Sequence, residues 1–593
     1  FDENNFKPFW RYVKSKQQDF VGTAPLKRKG ALLSEGKDKA EILVEQFRSV
    51  FSKQIKLNLP FLKKVNKEPL PTLHITIPGV EKLLSKIKTS KAVGPDNISN
   101  VLLKNCAKQL APCITSIFQH SVDSGNLPDD WVNANVTPVY KKGDVHLAEN
   151  YRPVSLTSVT CKLLEHIICK HILDHLEYND ILTHLNHGFK SGYSCETQLL
   201  VTMEDLLKNH DAGYQTDIII LDFSKAFDTV PHHELLHKLT SFGIEGPIHT
   251  WIKNFLTTRY MRVVVDGECS RKVTVDSGVP QGTVMGPLLF LCHINDLPQS
   301  VKSQVRLFAD DCLLYRKISS QEDHHILQND LIELERWAKN WGMRFNAKKC
   351  HLLSINNRSS HFYTLCGEIL NQVTENPYLG LTLSQDLKWS THITQLTKKA
   401  NSTMAVLRRN LRNCTKDCRK IAYISLVRSL MDYGAIIWDP YIQKDVTKLE
   451  CVQRQAARFI TNDYKTKSEG CMTKMLQELD LPPLQDRRKS CRLVFLYKVV
   501  EGLVPAIPAK EFVEPARSKR KIKTSSDLNF NTTNLVDKYI VNNNRGLKIK
   551  IAKTEQYRNS FFIKTTADWN HLPSEVVGAG TVEGFKSALS KCY

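Results

Sequence analysis

The chain has 593 residues, 41% hydrophobic, 24% charged and 8% aromatic, room for about four domains of roughly 150 residues, each able to bury a core. That composition excludes disorder as the dominant state, and no run of eighteen apolar residues is present, which excludes a membrane-spanning helix. The formal charge of +21 favours a polyanionic partner, nucleic acid or an anionic membrane surface, over a merely soluble basic protein.

The charge is unevenly spread: residues 1–120 carry +11, 121–390 carry −7 and 391–593 carry +17. The sixteen Cys include no CxxC pair, and Cys414 with Cys418 lacks a second pair at zinc spacing. They are expected to be reduced thiols of an intracellular protein, mostly filling the core. The chain opens on Phe1 without a basic-then-apolar signal segment, so it reads as a fragment of something longer.

Taken in order, residues 1–85 look like a connector with an aromatic group (Phe6, Phe9, Trp10, Tyr12), a helix over 38–51 and breaks at Pro60, Pro69, Pro71 and Pro78. A basic stretch then leads through the turn-rich KAVGPDNIS into an amphipathic helix over 99–120. TDIIILDF (216–223) reads as a strand buried on both faces. RLFADDCLLYR (306–316) reads as a hairpin with its carboxylates at the bend. After 390 the pattern is helical, over 391–412, 416–437, 444–461 and 484–501, with Arg and Lys between the apolar positions. The stretch 515–560 is rich in Asn, Lys and Thr and is expected to be loose, with a closing segment around Trp569 and Phe585.

Three acidic features invite chemistry: Asp222 at the end of the buried strand, Asp228 shortly after it, and the pair Asp310 and Asp311 in apolar surroundings. Adjacent carboxylates flanked by apolar residues are costly unless a cation neutralises them. A hard divalent ion such as Mg²⁺ suits carboxylate oxygens and leaves positions open for phosphate. The bland reading makes Asp222 a helix cap and the Asp pair a polar turn. Each alone is the better bet, but the combination favours metal.

LDFSKAFD, SGVPQGTVMGPLLFLCHINDLP and LFADD, in this order, resemble motifs A, B and C of a reverse transcriptase. KAVGPDNIS, VTPVYKKGD, NYRPVSLTSVTCKLLEHII and HGFKSGYSCETQL resemble finger motifs of non-LTR, LINE-type retrotransposon polymerases, nearest the jockey-like branch, as does the C-terminal WNHLPSEV. The resemblance implies an α+β right-hand polymerase. Residues 1–85 would be a connector after a missing endonuclease, 86–121 a finger extension and 122–385 fingers and palm. Residues 386–470 would form a helical thumb and 471–593 a basic C-terminal region.

The same resemblance implies that Asp222 and Asp310 are the principal metal ligands, with Asp311 in support and the Phe223 carbonyl completing a shell. Two Mg²⁺ ions are expected, Mn²⁺ being a possible substitute. Phe227 falls where the family places a ring against a ribose 2′-OH, with ordinary core packing as the competing role. Gln281 and Gly282 fall at the contact with nucleotide and template, and Lys141 and Arg152 at the triphosphate, Lys142 competing with Lys141. Lys349 would be the lysine that protonates pyrophosphate, Lys348 being its neighbour, while Trp337, Trp341 and Phe345 are expected to pack. Arg408, Arg409, Arg412, Arg419, Lys420, Arg487, Arg488, Lys489 and Arg492 are candidates for a phosphate track, a solvated helical face being the bland alternative.

The implied reaction is RNA-templated addition of deoxynucleotides to a DNA 3′-OH, primed at nicked target DNA. The implied partners are template RNA, a DNA primer or nicked target, deoxynucleoside triphosphates and a separate endonuclease, with no membrane. Nuclear entry and a cytoplasmic ribonucleoprotein follow by resemblance only, ARSKRKIK (516–523) being the sole basic import-like cluster. QGTVMG departs mildly from the commoner Ser and Leu of motif B, and no Cys/His knuckle with a nuclease follows. The rival class is a non-catalytic RNA-binding relic of the same fold, whose expected mark, loss of a catalytic Asp, is absent.

Overall fold

The computed structural model describes residues 22–52, 68–516 and 543–592. The aromatic group at 6–12, Pro60 and nearly all of the basic cluster at 516–523 lie outside the described residues. Two compact units emerge, each assembled from separated stretches of chain: Phe1–Leu185, Asp222–Lys302 and Asp330–Ala347 make the first, and Asn186–Leu221, Ser303–Asn329 and Lys348–Tyr593 the second. Seven strands position the functional residues: β1 (Asn133–Tyr140), β2 (Tyr151–Leu156), β3 (Gln215–Leu221), β4 (Tyr260–Val265), β5 (Gln304–Phe308), β6 (Asp311–Ile318) and β7 (His351–Ile355).

In the first unit, β1 lies between β2, antiparallel, and β4, parallel. Helix Gly36–Ser49 covers this sheet: Leu43, Val44 and Phe47 on its apolar stripe join Val136, Met261, Val263 and Val265 in one core. The expected 99–120 helix is two helices, Asn100–Asn105 and Ala107–Ser124, meeting at Cys106. Trp337 and Trp341 pack as expected, because Lys238 lies 3.7 Å from the centre of the Trp341 ring and 5.0 Å from that of Trp337. Burial pushes the Lys238 ammonium down to about 8, and it donates to Asp296 Oδ1 and the His293 carbonyl, each at 2.5 Å.

In the second unit, β3 lies between β7 and β6, antiparallel to both, and β5 follows β6. The continuous apolar run does end up buried on both faces: Ile218 and Ile219 are fully covered and Leu221 nearly so. The expected hairpin is β5 and β6, joined by the two residues Ala309 and Asp310. Helices Ser390–Asn410, Gln443–Thr461 and Leu484–Val500 match their sequence expectations within two residues. The 416–437 helix does not run through: Lys416–Tyr423 continues through a π segment, Ile424–Arg428, to Asp432, and Gly434 at φ 62° separates the last turn, Ala435–Trp438.

The thiols are all unbridged, as expected, but most are not core filler. Cys161, Cys169, Cys292, Cys312 and Cys350 are buried, while Cys113, Cys366, Cys451 and Cys592 are exposed and the other seven half-buried.

Three of the candidate phosphate contacts, Arg419, Arg488 and Arg492, belong to the interior. Arg488 and Arg492 are 2% exposed and donate to opposite oxygens of Asp439, at 2.7 and 3.1 Å, with Lys564 at 2.8 Å from the second. Burial alone would raise the Asp439 carboxyl, but Arg492, Lys564 and Arg488 outweigh it and hold it below the usual range. Removing one partner leaves a buried charge uncompensated, at a cost of about 3–5 kcal/mol. Arg492→Ala is therefore expected to lower the unfolding free energy read from urea titration by that amount, while a surface change such as Arg409→Ala leaves it within error. Because a depressed carboxylate stabilises above its unfolded pKa and loses that contribution as pH falls through its folded one, the wild type should lose stability below about pH 4. Asp439→Asn should flatten that acid limb, which denaturation at stepped pH would reveal.

Candidate active site

In the second unit the register of β3 on β6 pairs Leu221 with Cys312 and Ile220 with Leu313. The last residue of β3 is thus level with the second residue of β6. Asp311 is the first residue of β6 and pairs with Phe308, so Asp310 is the outermost position of the turn. Ala309 has φ 54°, in the left-handed region that normally favours Gly, and Asp310 has no positive φ. Placing Ala there costs about 1–2 kcal/mol. Both Asp310 and Asp311 are exposed. The burial cost invoked from the sequence does not apply to them, because the flanking apolar residues point into the sheet while the carboxylates leave at its end.

In the first unit Asp222 is half-buried and continues from Leu221. Phe223 forms an isolated antiparallel bridge with Phe345, their rings stacked at 4.5 Å. The Asp222 carbonyl accepts the Asn346 N–H and the Ser224 N–H donates to the Arg344 carbonyl. Backbone alternation puts the Phe223 carbonyl on the opposite edge, away from this bridge. Among the described residues no three His, Cys, Asp or Glu side chains gather as a metal cluster.

The PQG segment is fixed from four sides within the first unit. Val279 donates to the Phe227 carbonyl at 2.8 Å, and Ser155 of β2 donates to the Gln281 carbonyl at 2.8 Å. The Gln281 amide donates to Asp228 Oδ1 at 3.0 Å. Glu165, fully buried on helix Val159–Tyr178, accepts the Val284 and Met285 N–H groups at 2.7 and 3.0 Å and so closes the start of helix Met285–Ile294. Gly282 has φ 100°, and a Cβ there would sit 2.6 Å from the Ser155 carbonyl oxygen. Its missing side chain thus serves a strand contact in this structure, where the sequence suggested close approach to a ligand.

Phe227 is half-buried and stacks on Phe290 at 4.4 Å, with an interplanar angle of 13°. It also lines a cavity of ≈ 50 Å³ with Phe47, Lys225, Asp228, Arg259 and Gln281. Burial raises the Asp228 carboxyl, opposed by the charge of Lys225, the Gln281 hydrogen bond and the charge of Arg152. Asp228, singled out from the sequence as an acidic feature without a specific role, thus orients Gln281. Lys141 and Arg152 are both exposed. Arg152 pairs with Val139, and Lys141, two residues on and bonded through its N–H to the Asn150 carbonyl, shares that face. The period of two thus favours Lys141 over Lys142.

Lys348 and Lys349 are both exposed on the turn Ala347–Lys349. Of the basic helices, Arg409 and Arg412 are exposed. Arg408 is half-buried and donates to Gln455, Arg419 donates to the Phe459 carbonyl, and Arg487 is bound through two nitrogens to Asp432. Lys489 lies 3.7 Å from Asp568 and Lys420 is half-buried. A phosphate track through Arg488 and Arg492 is excluded by their ion pairs with Asp439, and the exposed cations left on it are Arg409 and Arg412.

Residues 139–383 match the family model of reverse transcriptase (RNA-dependent DNA polymerase). That segment carries a reverse transcriptase domain, in keeping with the α+β polymerase fold, and the relatives the chain resembles are polymerases of transposons and mobile elements, jockey among them. It is 26% identical over 478 residues to the probable RNA-directed DNA polymerase from transposon BS of Drosophila melanogaster, a match covering 76% of this chain and 53% of that one. It is 27% identical to the RNA-directed DNA polymerase from mobile element jockey of the same species (68% of this chain, 45% of that one) and 30% identical to its Drosophila funebris counterpart (55% and 37%). The chain spans about half the length, or less, of these relatives. Reverse transcriptases are metal-dependent and act on nucleic acid and nucleotides. No helix among the described residues is long and apolar enough to cross a membrane.

Gly282→Ala combines a disfavoured φ with a backbone clash, a local strain of about 1–3 kcal/mol. It is expected to raise the KM for deoxynucleotide in primer extension by about tenfold or more, with thermal unfolding shifted by only a few degrees. An unchanged KM would detach the Ser155 contact from nucleotide binding.

Proposed function

We propose that the chain is an RNA-directed DNA polymerase that copies its element's RNA into DNA, primed from the 3′-OH of nicked target DNA. The observation that carries this reading is the register of β3 on β6 within the second unit, which sets the exposed Asp310–Asp311 turn beside the end of β3. The donors that the resemblance implies, the carboxylates of Asp222, Asp310 and Asp311 and the Phe223 carbonyl, are all hard oxygens, a chemistry that suits Mg²⁺, with Mn²⁺ as a substitute. When bound, two such ions would activate the primer hydroxyl and stabilise the leaving pyrophosphate.

The protein's own residues would do the positioning. Arg152 and Lys141, on one face of the finger hairpin, would hold the triphosphate, one as a bidentate donor and the other as a point charge. Gln281, oriented by Asp228, would face the incoming nucleotide, and Phe227, stiffened by Phe290, would exclude a 2′-OH. Lys349 would supply a proton to pyrophosphate. Arg409 and Arg412 would meet the nucleic-acid backbone, contributing affinity without sequence readout. Segments 122–385, 386–470 and 471–593 would serve as fingers and palm, thumb and C-terminal grip, 86–121 extending the fingers. A separate endonuclease would supply the nick, and nuclear access would be required for it.

Primer extension on an RNA template with Mg²⁺ tests the reading. The wild type should extend, and Asp310→Ala should lose at least about a thousandfold in kcat, given that positioning and electrostatics supply most of the barrier lowering in phosphoryl transfer. A wild type that binds RNA yet never extends a primer would instead support the RNA-binding relic. Phe227→Ala should admit ribonucleotides, and unchanged sugar discrimination would leave Phe227 as a packing residue of Phe290.

A further inference from the structure

The turn that carries Asp310 is braced by a short segment of the second unit that motif reasoning placed in the fingers. Asn186 is 3% exposed and forms a parallel bridge with Leu307 on β5. The next residue, His187, donates its N–H to the Leu307 carbonyl at 3.0 Å. The Asn186 Oδ1 accepts two backbone N–H groups, from Gly188 at 3.0 Å and from Ala309 at 3.2 Å. A Cβ on Gly188 would lie 2.5 Å from the Ala309 nitrogen and 3.0 Å from the Phe308 carbonyl carbon, so only glycine lets the two backbones approach this closely.

The brace is itself anchored. His187 Nδ1 is 2.9 Å from Thr197 Oγ1, and Thr197 closes a reciprocal cap with Ser194 at the start of helix Cys195–Asp211. The His187 ring meets Tyr193 edge-on at 4.9 Å. The acceptor that meets Ala309 is therefore mounted on a capped helix.

We propose that Asn186 is a positioning residue for the Asp310–Asp311 pair: by accepting the Ala309 N–H it holds that alanine in its left-handed conformation and so fixes the directions in which the two carboxylates leave the turn. Asn186 acts through Ala309 and does not touch substrate. Three features converge on this role. Ala309 occupies a conformation that suits glycine, its N–H is buried beside the Asn186 oxygen, and the residues it aims are exposed. Nothing in the local packing of Ala309 alone requires a side-chain acceptor, since a two-residue turn closes through its flanking pair Phe308 and Asp311. The proposal rests on the polymerase reading for its functional consequence and on geometry for its structural one.

The test uses the full chain and two independent readouts. In primer extension, Asn186→Ala is expected to lower kcat by about 10- to 100-fold, the scale of a sub-ångström to ångström misplacement of a reacting group, with the KM for deoxynucleotide within about twofold. Asn186→Asp keeps the acceptor oxygen and should recover most of kcat. Ala309→Gly tolerates a positive φ without help, so the loss caused by Asn186→Ala should shrink severalfold in that background. In amide exchange, Asn186→Ala should speed exchange at Ala309 by about tenfold while the β3 amides keep their protection.

An equal loss from Asn186→Ala in the wild-type chain and in the Ala309→Gly variant, or unchanged exchange at Ala309, would overturn the proposal. Unchanged kcat in Asn186→Ala would overturn it as well. If the wild type never extends a primer, the polymerase reading fails, and the exchange measurement still decides whether Asn186 holds the turn.

Discussion

The pairing of β3 with β6 is the constraint on which everything else depends. Leu221 and Cys312 are 91 positions apart in the chain, yet they are held level by a ladder that begins at Gln215 and Ile318. A slip of one residue would reverse the faces of Ile218, Ile219 and Leu221 and turn a fully buried strand against its own packing. The apolar run is thus both a stability element and an alignment device. It fixes the end of β3 beside the tight turn at Ala309, from which Asp310 and Asp311 emerge. Loops elsewhere can vary without disturbing this alignment.

A second layer of organisation concerns backbone amides that are satisfied by buried side-chain oxygens. Glu165 takes the N–H groups at the start of helix Met285–Ile294, and Asn186 takes those of Gly188 and Ala309. Each serves a motif that carries chemistry while standing outside it. Burial raises the Glu165 carboxyl, with the Met285 N–H, the charge of Arg259 and the Val284 N–H opposing. An interior acceptor of this kind makes a rigid mount, because the alternative for the amides it serves is an unmade bond in the protein interior.

Much of this was legible in the sequence where a single period dominates. The hairpin at 306–316, the buried 216–223 run and the helices at 391–412, 444–461 and 484–501 carry strong local patterns, and the structure places each within two or three residues. The basic helices were harder. Leu484, Arg488, Arg492 and Leu496 recur at intervals of four and so share one buried stripe, a signal that was available but outweighed by the charge of arginine. Their partner Asp439 is some fifty residues away, and no local pattern announces it. Asn186 was invisible for the same reason: its role rests on a bridge to Leu307. The placement of Lys141 ahead of Lys142 needed only the register of one hairpin.

The two compact units are built from stretches that alternate along the chain, so the polypeptide passes from one to the other five times. Neither unit corresponds to a contiguous piece of gene. A reading frame interrupted before residue 351 would delete β7 from the flank of β3 and leave the central strand with a bare edge, a template for aggregation. Truncation ahead of that point forfeits the sheet itself, whereas a substitution at a single carboxylate could silence the chemistry while sparing the scaffold.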